Sequence, residues 1–431
     1  MNLLVINIHS SANAGDAALT DRTLDDLRAA FPGAEITLSM DDPSSHSGDE
    51  RVVPSILHWV KSTRAGTRST WNLRNLAIFL PASLLSLLVY RVARRRIFPF
   101  MSSMQRASIE AFFDADLAVS KPGGFLYSTG GIGMPLLLTM YTIAYAVFSG
   151  APHYMLPQSI GPFTARWQER ALRWVLNRTR ITMLREPISL DAMRRIGVRT
   201  ERYAPVADMA FALPPANATA GADWLRNHGI AQNDGRARVG VTVLNWAAQD
   251  QSFDAQANYE HALAAALTVF MQQTNAQLIF FPQVTGPTIE QDDRVVAQRV
   301  AKEMRATGAE ADMLDEPMTV EQIRNAIASM DVFIGTRMHS NIFALSAGVP
   351  VVAIGYLHKT RGIMRMAGVE SHVADIGALN ADELLHLLMN TWNARAALHV
   401  QVTAAAAALR ASANTAMELI RADLRTSGRL P

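Results

Sequence analysis

Gly335-Thr336-Arg337-Met338-His339-Ser340 sets a guanidinium two positions from an imidazole, directly after the apolar run Val332–Ile334. If a strand stops there and a helix begins, backbone N–H groups point at an anion, and Arg337 adds bidentate recognition of phosphate or carboxylate. His339 can give or take a proton near neutral pH. The competing reading is structural, with Arg337 paired to an internal acid and His339 merely closing the helix start. Position favours chemistry, because ligands of parallel α/β folds bind outside the carboxyl ends of the strands.

Four further groups stand where apolar runs end. Asn13-Ala14-Gly15-Asp16 follows the first run and opens a helix, so Asp16 is either an N-cap or a base. Ser120-Lys121-Pro122-Gly123-Gly124 follows a strand carrying Asp116, a second candidate base. Its paired glycines, Gly123 and Gly124, allow a substrate to approach the backbone. Gln158 and Ser159, in Leu156-Pro157-Gln158-Ser159-Ile160-Gly161-Pro162, offer an amide and a hydroxyl to a sugar, or form a plain turn. Arg185, in Leu184-Arg185-Glu186-Pro187-Ile188-Ser189, either meets an anion or pairs with Glu186, with Ser189 as a cap.

The elements that must hold these residues follow from periodicity. Short apolar runs alternate with helix-length amphipathic stretches, the pattern of parallel α/β units. In the first half, Leu3–Ile8, Glu35–Met40, Asp116–Ser120, His153–Pro157 and Ile181–Leu184 read as strands. The uncharged stretch Met134–Gly150 reads as a buried helix, being short for a membrane span. Residues 214–237, rich in Pro, Ala, Asn, Gly and Asp, read as a linker with one short helix-like piece around Asp223–His228. A second series follows, with strands near Arg238–Leu244, Gln277–Pro282, Val332–Thr336 and Val351–Gly355, then helix from Ala381 to Arg425. With 431 residues the chain exceeds one ordinary core. The expected architecture is two doubly wound Rossmann-like domains facing a cleft, 1–213 and 238–431.

Composition narrows the chemistry. The chain has no cysteine, which excludes disulfides, thiolate metal sites and a cysteine nucleophile. No His-x-x-x-His or paired-carboxylate helix motif suggests a divalent metal. The opening Met1–Asn7 lacks a basic n-region and reads as a first strand and not as a signal peptide.

Taken in order, these five motifs resemble the polysaccharide pyruvyl transferase family, with Tyr356-Leu357-His358-Lys359 matching that family's Tyr-x-x-Lys. Lys121-Pro122 departs from it where a third glycine is common, and Glu186 replaces the commoner aspartate. The resemblance implies a two-domain fold similar to the GT-B glycosyltransferases, with the acceptor on the N-terminal side and the donor on the C-terminal side. It implies phosphoenolpyruvate as donor, no metal or other cofactor, and a cytoplasmic acceptor sugar that is often lipid-linked. Asn13, Gly123, Gly124, Gln158, Ser159, Arg185, Thr336, Arg337, Met338, Ser340 and Lys359 are then the substrate-binding set. His339 becomes the acid, with Asp16 or Asp116 the base.

Charge adds a location. Ten basic residues and no acid lie between Arg51 and Ile109, so the rest of the chain is net negative. Leu76–Tyr90 is uncharged and is followed by Arg91, Arg94, Arg95 and Arg96. That pattern suits a helix within Trp71–Phe100 lying on the inner face of the cytoplasmic membrane against anionic lipid; a buried interdomain or dimer helix is the alternative. Nucleic acid is not expected as a partner, because the segment has few interleaved aromatics and no recognition motif. Two other functions remain in view. A GT-B nucleotide-sugar transferase would want a ribose-binding acid in Asn341–Leu345, which has none. A membrane-docked scaffold of glycan assembly would bind no donor.

Overall fold

The computed structural model describes residues 1–62, 70–128, 130, 132–230, 235–248, 250, 253–286, 288–316 and 318–429. Arg64 and Arg68 of the basic segment lie outside the described residues. The chain divides into two compact units: Met1–Ala12 with Asp16–Met209 and Ser412–Pro431, and Asn13–Gly15 with Ala210–Ala411.

The first unit carries β1 (Asn2–Ile8), β2 (Glu35–Met40) and β3 (Arg51–Pro54), then a small antiparallel pair, β4 (Lys61–Ser62) and β5 (Thr70–Trp71). β6 (Leu117–Ser120), β7 (Gly123–Leu126), β8 (His153–Ile160), β9 (Thr182–Leu184) and β10 (Tyr203–Pro205) follow. The main sheet is parallel in the order β10-β9-β8-β6-β1-β2-β3, with β7 beside β8. Strands of such a sheet are covered on both faces, which is why they read as unbroken apolar runs. The helix Met134–Ser149 is buried, with Ile143 and Tyr145 at 0% exposure, as its uncharged sequence leads one to expect.

The second unit carries β11 (Arg238–Thr242), β12 (Gln277–Phe280), β13 (Asp312–Met313), β14 (Val332–Gly335), β15 (Val351–Gly355) and β16 (Val373–Asp375). All are parallel, in the order β13-β12-β11-β14-β15-β16. Val239, Val241, Leu263, Leu267, Phe270, Val300 and Ile334 form its dry centre, each contributing about 1.5–3 kcal/mol by burial. In both sheets the chain reverses direction of winding once: between β1 and β6 in the first, and between β11 and β14 in the second. The carboxyl ends of those strand pairs are the ligand positions of doubly wound sheets.

The division differs from the expected boundaries at two places. The segment read as a linker contains the helix Ala218–Asn227, which packs on the helix Val320–Ala328 inside the second unit. The backbone of Asn325 leaves no room for a side chain opposite it: a Cβ on Gly221 would overlap the Asn325 carbonyl, so glycine there permits the close helix contact. Asn217 N–H reaches Asn325 Oδ1 at 2.7 Å, and Arg324 donates to Pro214 O. Small residues that resemble linker composition are here a packing surface. At the other end the helical tail breaks after Asn414 into a second helix, Ala416–Thr426. Residues from Ser412 onward belong to the first unit, where Asp423 accepts from Arg180 Nε at 2.8 Å and Nη2 at 2.7 Å.

Candidate active site

The second unit's switch point is built around β14 and the helix Met338–Ser346. Thr336 N–H extends the ladder to Thr242 O at 3.1 Å, and its hydroxyl meets Tyr259 OH at 2.9 Å. Ser340 Oγ donates to Arg337 O at 2.7 Å and lies 2.8 Å from Thr242 Oγ1. Met338 is buried. Thr336, Met338 and Ser340, expected in the substrate-binding set, turn their side chains inward, where they lock the loop onto the sheet. Asn341 completes the lock by donating to Gly335 O at 3.0 Å. Arg337 occupies the N-cap position in extended conformation with no side-chain cap hydrogen bond. An uncapped first turn leaves backbone N–H groups to an anion.

Arg337 itself is buried and forked onto Asp293, whose carboxylate takes Nε at 3.1 and 3.2 Å and also Nη2. Asp293 begins the helix Asp293–Ala306 and also accepts Val284 N–H at 2.9 Å. Burial pushes the Asp293 carboxyl up to about 6, against the pull of Arg337 and of that N–H group. Burial alone would lower the guanidinium's value; the Asp293 charge outweighs it and the net direction is upward. The internal-acid alternative thus has a definite partner, one that sequence reading missed.

His339 is half-buried and lies against Gly15 of the same unit. A methyl at Gly15 would stand 2.5 Å from the ring's Cγ and 2.6 Å from Cβ. The short piece holding Gly15 is fixed by an isolated bridge between Asn13 and Val284 and by Ala14 N–H to Gln283 O at 3.0 Å. Asn13 Oδ1 accepts Gly15 N–H at 3.0 Å and so serves the helix start that Asp16 was expected to cap. Gln283 is 2% exposed, and among the described residues neither of its side-chain amide atoms has a hydrogen-bond partner. A buried side-chain amide without a partner is unusual in a folded protein. Beyond β15, Lys359 Nζ stands 5.2 Å above the Tyr356 ring, which packs on Trp246 at 4.6 Å. The aromatic pair holds this ammonium near the same strand ends.

The first unit's switch point holds a second polar cluster. Asn7, in β1, has φ 62° and donates to Ser120 Oγ at 3.0 Å; Ser120 in turn lies 2.9 Å from His153 Nε2. A non-glycine residue in left-handed conformation inside a strand is a strained feature of the kind that gathers at functional sites. Complete burial pushes His153 down to about 3, so it is neutral. Lys121, fully buried after β6, ion-pairs with Asp16 in the first turn of the helix Ala14–Ala30. The residue that departs from the family pattern therefore supplies the counter-charge of the candidate base.

Several expectations fail here for clear reasons. Asp116 precedes β6, is exposed, and accepts Asn2 N–H at 2.8 Å. It stands at the amino end, about 16 Å of extended chain from Lys121, and is not a base of this site. Gln158 and Ser159 lie within β8 and are buried: Gln158 Nε2 donates to Lys121 O at 2.6 Å, and Ser159 Oγ accepts from Arg185 Nε at 2.8 Å. The turn starts later, at the cis Gly161–Pro162 bond. Gly123 and Gly124 open β7 instead of a turn, with Gly123 opposite Gln158. Arg185 is 1% exposed and pairs with Asp208 at 2.6 Å, not with Glu186. Glu186 is the N-cap of the helix Pro187–Ile196, the role expected of Ser189, and it accepts Ser189 N–H at 2.9 Å.

Among the described residues no three His, Asp or Glu side chains are grouped to hold a metal ion. The geometry can bind an anion beside a half-buried imidazole. "Amylovoran biosynthesis protein AmsJ" of Erwinia amylovora is 25% identical over 398 residues, 88% of this chain and 89% of that protein. Among solved structures, the UDP-GlcNAc 2-epimerase of Neisseria meningitidis superposes with TM-score 0.56 at 7% identity, covering 99% and 100% of the two chains. Anabaena HepE, solved with UDP-glucose, gives TM-score 0.56 at 13% identity over 99% and 100%. These likenesses give the fold: two parallel-sheet α/β domains of GT-B type. The polysaccharide pyruvyl transferase family matches residues 13–358, which takes in the five motifs from Asn13–Asp16 to Gly335–Ser340, and the chain belongs to that family.

Proposed function

We propose that the protein moves the enolpyruvyl carbons of phosphoenolpyruvate onto a sugar of an exopolysaccharide, in the cytoplasm, on a lipid-linked acceptor. The observation that supports this best is the conjunction of Arg337, the uncapped helix start at Met338 and the half-buried His339 at the end of β14. An enolpyruvyl phosphate needs those three things: a cation for its phosphate or carboxylate, N–H groups for the remaining oxygens, and an acid for its methylene carbon.

His339 as imidazolium gives a proton to the methylene carbon, turning it into a methyl group and leaving an electron-poor carbon beside the phosphate. One sugar hydroxyl attacks that carbon and loses its proton to a base, for which Asp16 stands. The second hydroxyl displaces phosphate, closing the ketal, and its proton leaves on phosphate. Arg337 and the helix start stabilise the charge that gathers on phosphate as its bond breaks. Lys359 is a second cation available to the donor.

Calorimetry with phosphoenolpyruvate and with UDP-glucose tests the donor. Binding of phosphoenolpyruvate that disappears in Arg337→Ala is expected, together with phosphate release and gain of a pyruvate ketal by the host's glycolipid fraction. Turnover of a nucleotide sugar with release of a nucleoside diphosphate would move the assignment to glycosyl transfer. Binding of neither donor would leave a scaffold.

A further inference from the structure

The helices Leu73–Ala77 and Phe79–Ala93 of the first unit are turned the wrong way for a water-facing surface. The face of the second helix that packs inward is formed by Phe79, Ala82, Ser83, Ser86 and Leu87. Ser83 Oγ lies 2.8 Å from Tyr141 OH, and Tyr145 OH donates to Ser83 O at 3.1 Å. Its outward stripe is Leu84, Leu85, Leu88 and Val92, exposed by 45%, 46%, 53% and 86%. The spacing i, i+1, i+4, i+8 keeps these four on one side of the helix. Two serines, Ser83 and Ser86, face the protein beside Phe79 and Leu87, while three leucines and a valine face out, against the ordinary pattern of a surface helix. Only 28% of the most apolar stretch in Leu73–Ala93 is buried. Leu73, Trp71, Phe100 and Met104 extend the exposed apolar surface around it.

Cations rim this patch. Arg74, Arg91, Arg94 and Arg95 are exposed; Arg91 continues the leucine stripe by one turn, and Arg94 and Arg95 follow where the helix ends in a left-handed C-cap at Arg94. Arg96, expected in the same role, is held instead by Asp114 at 2.6 Å, and Arg106 by Glu110 at 2.9 Å. We propose that this inverted helix is a docking surface for an anionic lipid bilayer, with Leu84, Leu85, Leu88 and Val92 entering the headgroup region and Arg74, Arg91, Arg94 and Arg95 meeting lipid phosphates. The inward hydrogen bonds to Tyr141 and Tyr145 keep the helix on the protein, so it lies in the interface and does not cross it. Long arginine stems suit that depth, since they place methylenes among acyl chains and charge among headgroups. The surface is independent of which donor the active site takes.

Vesicle co-sedimentation of the full chain tests it, using phosphatidylglycerol-containing and pure phosphatidylcholine vesicles. Two variants are compared: Arg91→Gln/Arg94→Gln/Arg95→Gln, and Leu84→Ser/Leu85→Ser/Leu88→Ser. Wild type should sediment with the anionic vesicles only, and less so as salt rises. The arginine variant should partition about a hundredfold more weakly, and the leucine variant should not sediment at all. Both should keep the wild-type melting temperature and phosphate release on a soluble acceptor. Absence of wild-type binding to anionic vesicles, or equal binding of wild type and both variants, overturns the proposal. So does a dimer in sedimentation velocity that the leucine variant dissociates without any lipid binding, since the patch then joins two copies of the chain.

Discussion

Asp293 and Arg337 form one buried unit: the carboxylate that starts the helix Asp293–Ala306 accepts Nε of Arg337 at 3.1 and 3.2 Å while also accepting Val284 N–H at 2.9 Å. The arginine proposed to clamp the donor is therefore aimed by an acid that belongs to a different strand–helix connection. Removing one member of such a pair strands the other charge in a dry site, at about 3–5 kcal/mol. Asp293→Ala is expected to lose stability on that scale, measured by urea unfolding. Asp293→Asn keeps the shape and is expected to raise KM for phosphoenolpyruvate more than it lowers kcat.

The same residue sets a pH dependence. Its folded value of about 6 lies above the ordinary 3.8. A carboxyl raised in this way holds its proton more tightly when folded, so its contribution to stability is fully present below about 4 and is lost as pH rises through 6. Relative to Asp293→Asn, wild type should gain stability as pH falls from 6 to 4, by about 3 kcal/mol at most. A wild-type-minus-variant difference that is flat across that window, or that slopes the other way, contradicts the assignment.

Gly15→Ala probes the contact with His339. Gly15 sits in a helical turn, so alanine costs no backbone strain, but its methyl would displace the ring from its Cβ outward. A shift near 1 Å in a catalytic group costs about 10²-fold in rate. The expected result is kcat reduced roughly 10- to 100-fold with KM for the donor little changed and the melting curve intact. His339→Ala should fall further, by about 10²- to 10⁴-fold in kcat.

Much of this was legible from residues alone, and the failures have physical causes. Strands buried on both faces write continuous apolar runs, so β1, β2, β8, β14 and β15 stood out along with the motifs at their ends. Asp293 did not, because Asp292-Asp293 ahead of an amphipathic helix looks the same whether its carboxylates face water or the interior. Gln283 was silent for the same reason, as burial of one amide leaves no trace in composition. Of the 218–227 helix only the later part was legible, as a helix-like piece around Asp223–His228, because the alanines and glycine before it serve close packing and linkers alike. Asp116 was readable and was misread: its place before Leu117 already put it at the amino end of β6.

Arg185 separates a structural from a binding role. With 1% exposure and Asp208 as partner, Arg185→Ala should destabilise the first unit by about 3–5 kcal/mol. Arg185→Met/Asp208→Leu removes both charges and should recover most of that loss. If the double variant is folded and active, Arg185 only holds the fold. If it is folded, inactive and unable to bind phosphoenolpyruvate, the arginine reaches substrate after all.

The choice of base rests on Asp16 and Lys121. Asp16 keeps 18% of its side chain exposed while Lys121 is wholly enclosed, so the carboxylate is the member of the pair that a hydroxyl can approach. Replacing Asp16 alone confuses two effects, because Asp16→Asn also leaves the Lys121 ammonium buried without a counter-charge. Asp16→Asn/Lys121→Met removes the pair together and should fold with stability near wild type. If Asp16 takes the proton from the sugar hydroxyl, this double variant stays inactive, with kcat lowered by about 10²-fold or more and donor binding retained. Asp116→Asn, a surface change at the far end of β6, should leave kcat within about twofold and stability within about 0.5 kcal/mol. Turnover by the folded double variant at the wild-type rate would remove Asp16 from the chemistry and reduce the pair to a brace between the helix Ala14–Ala30 and β6.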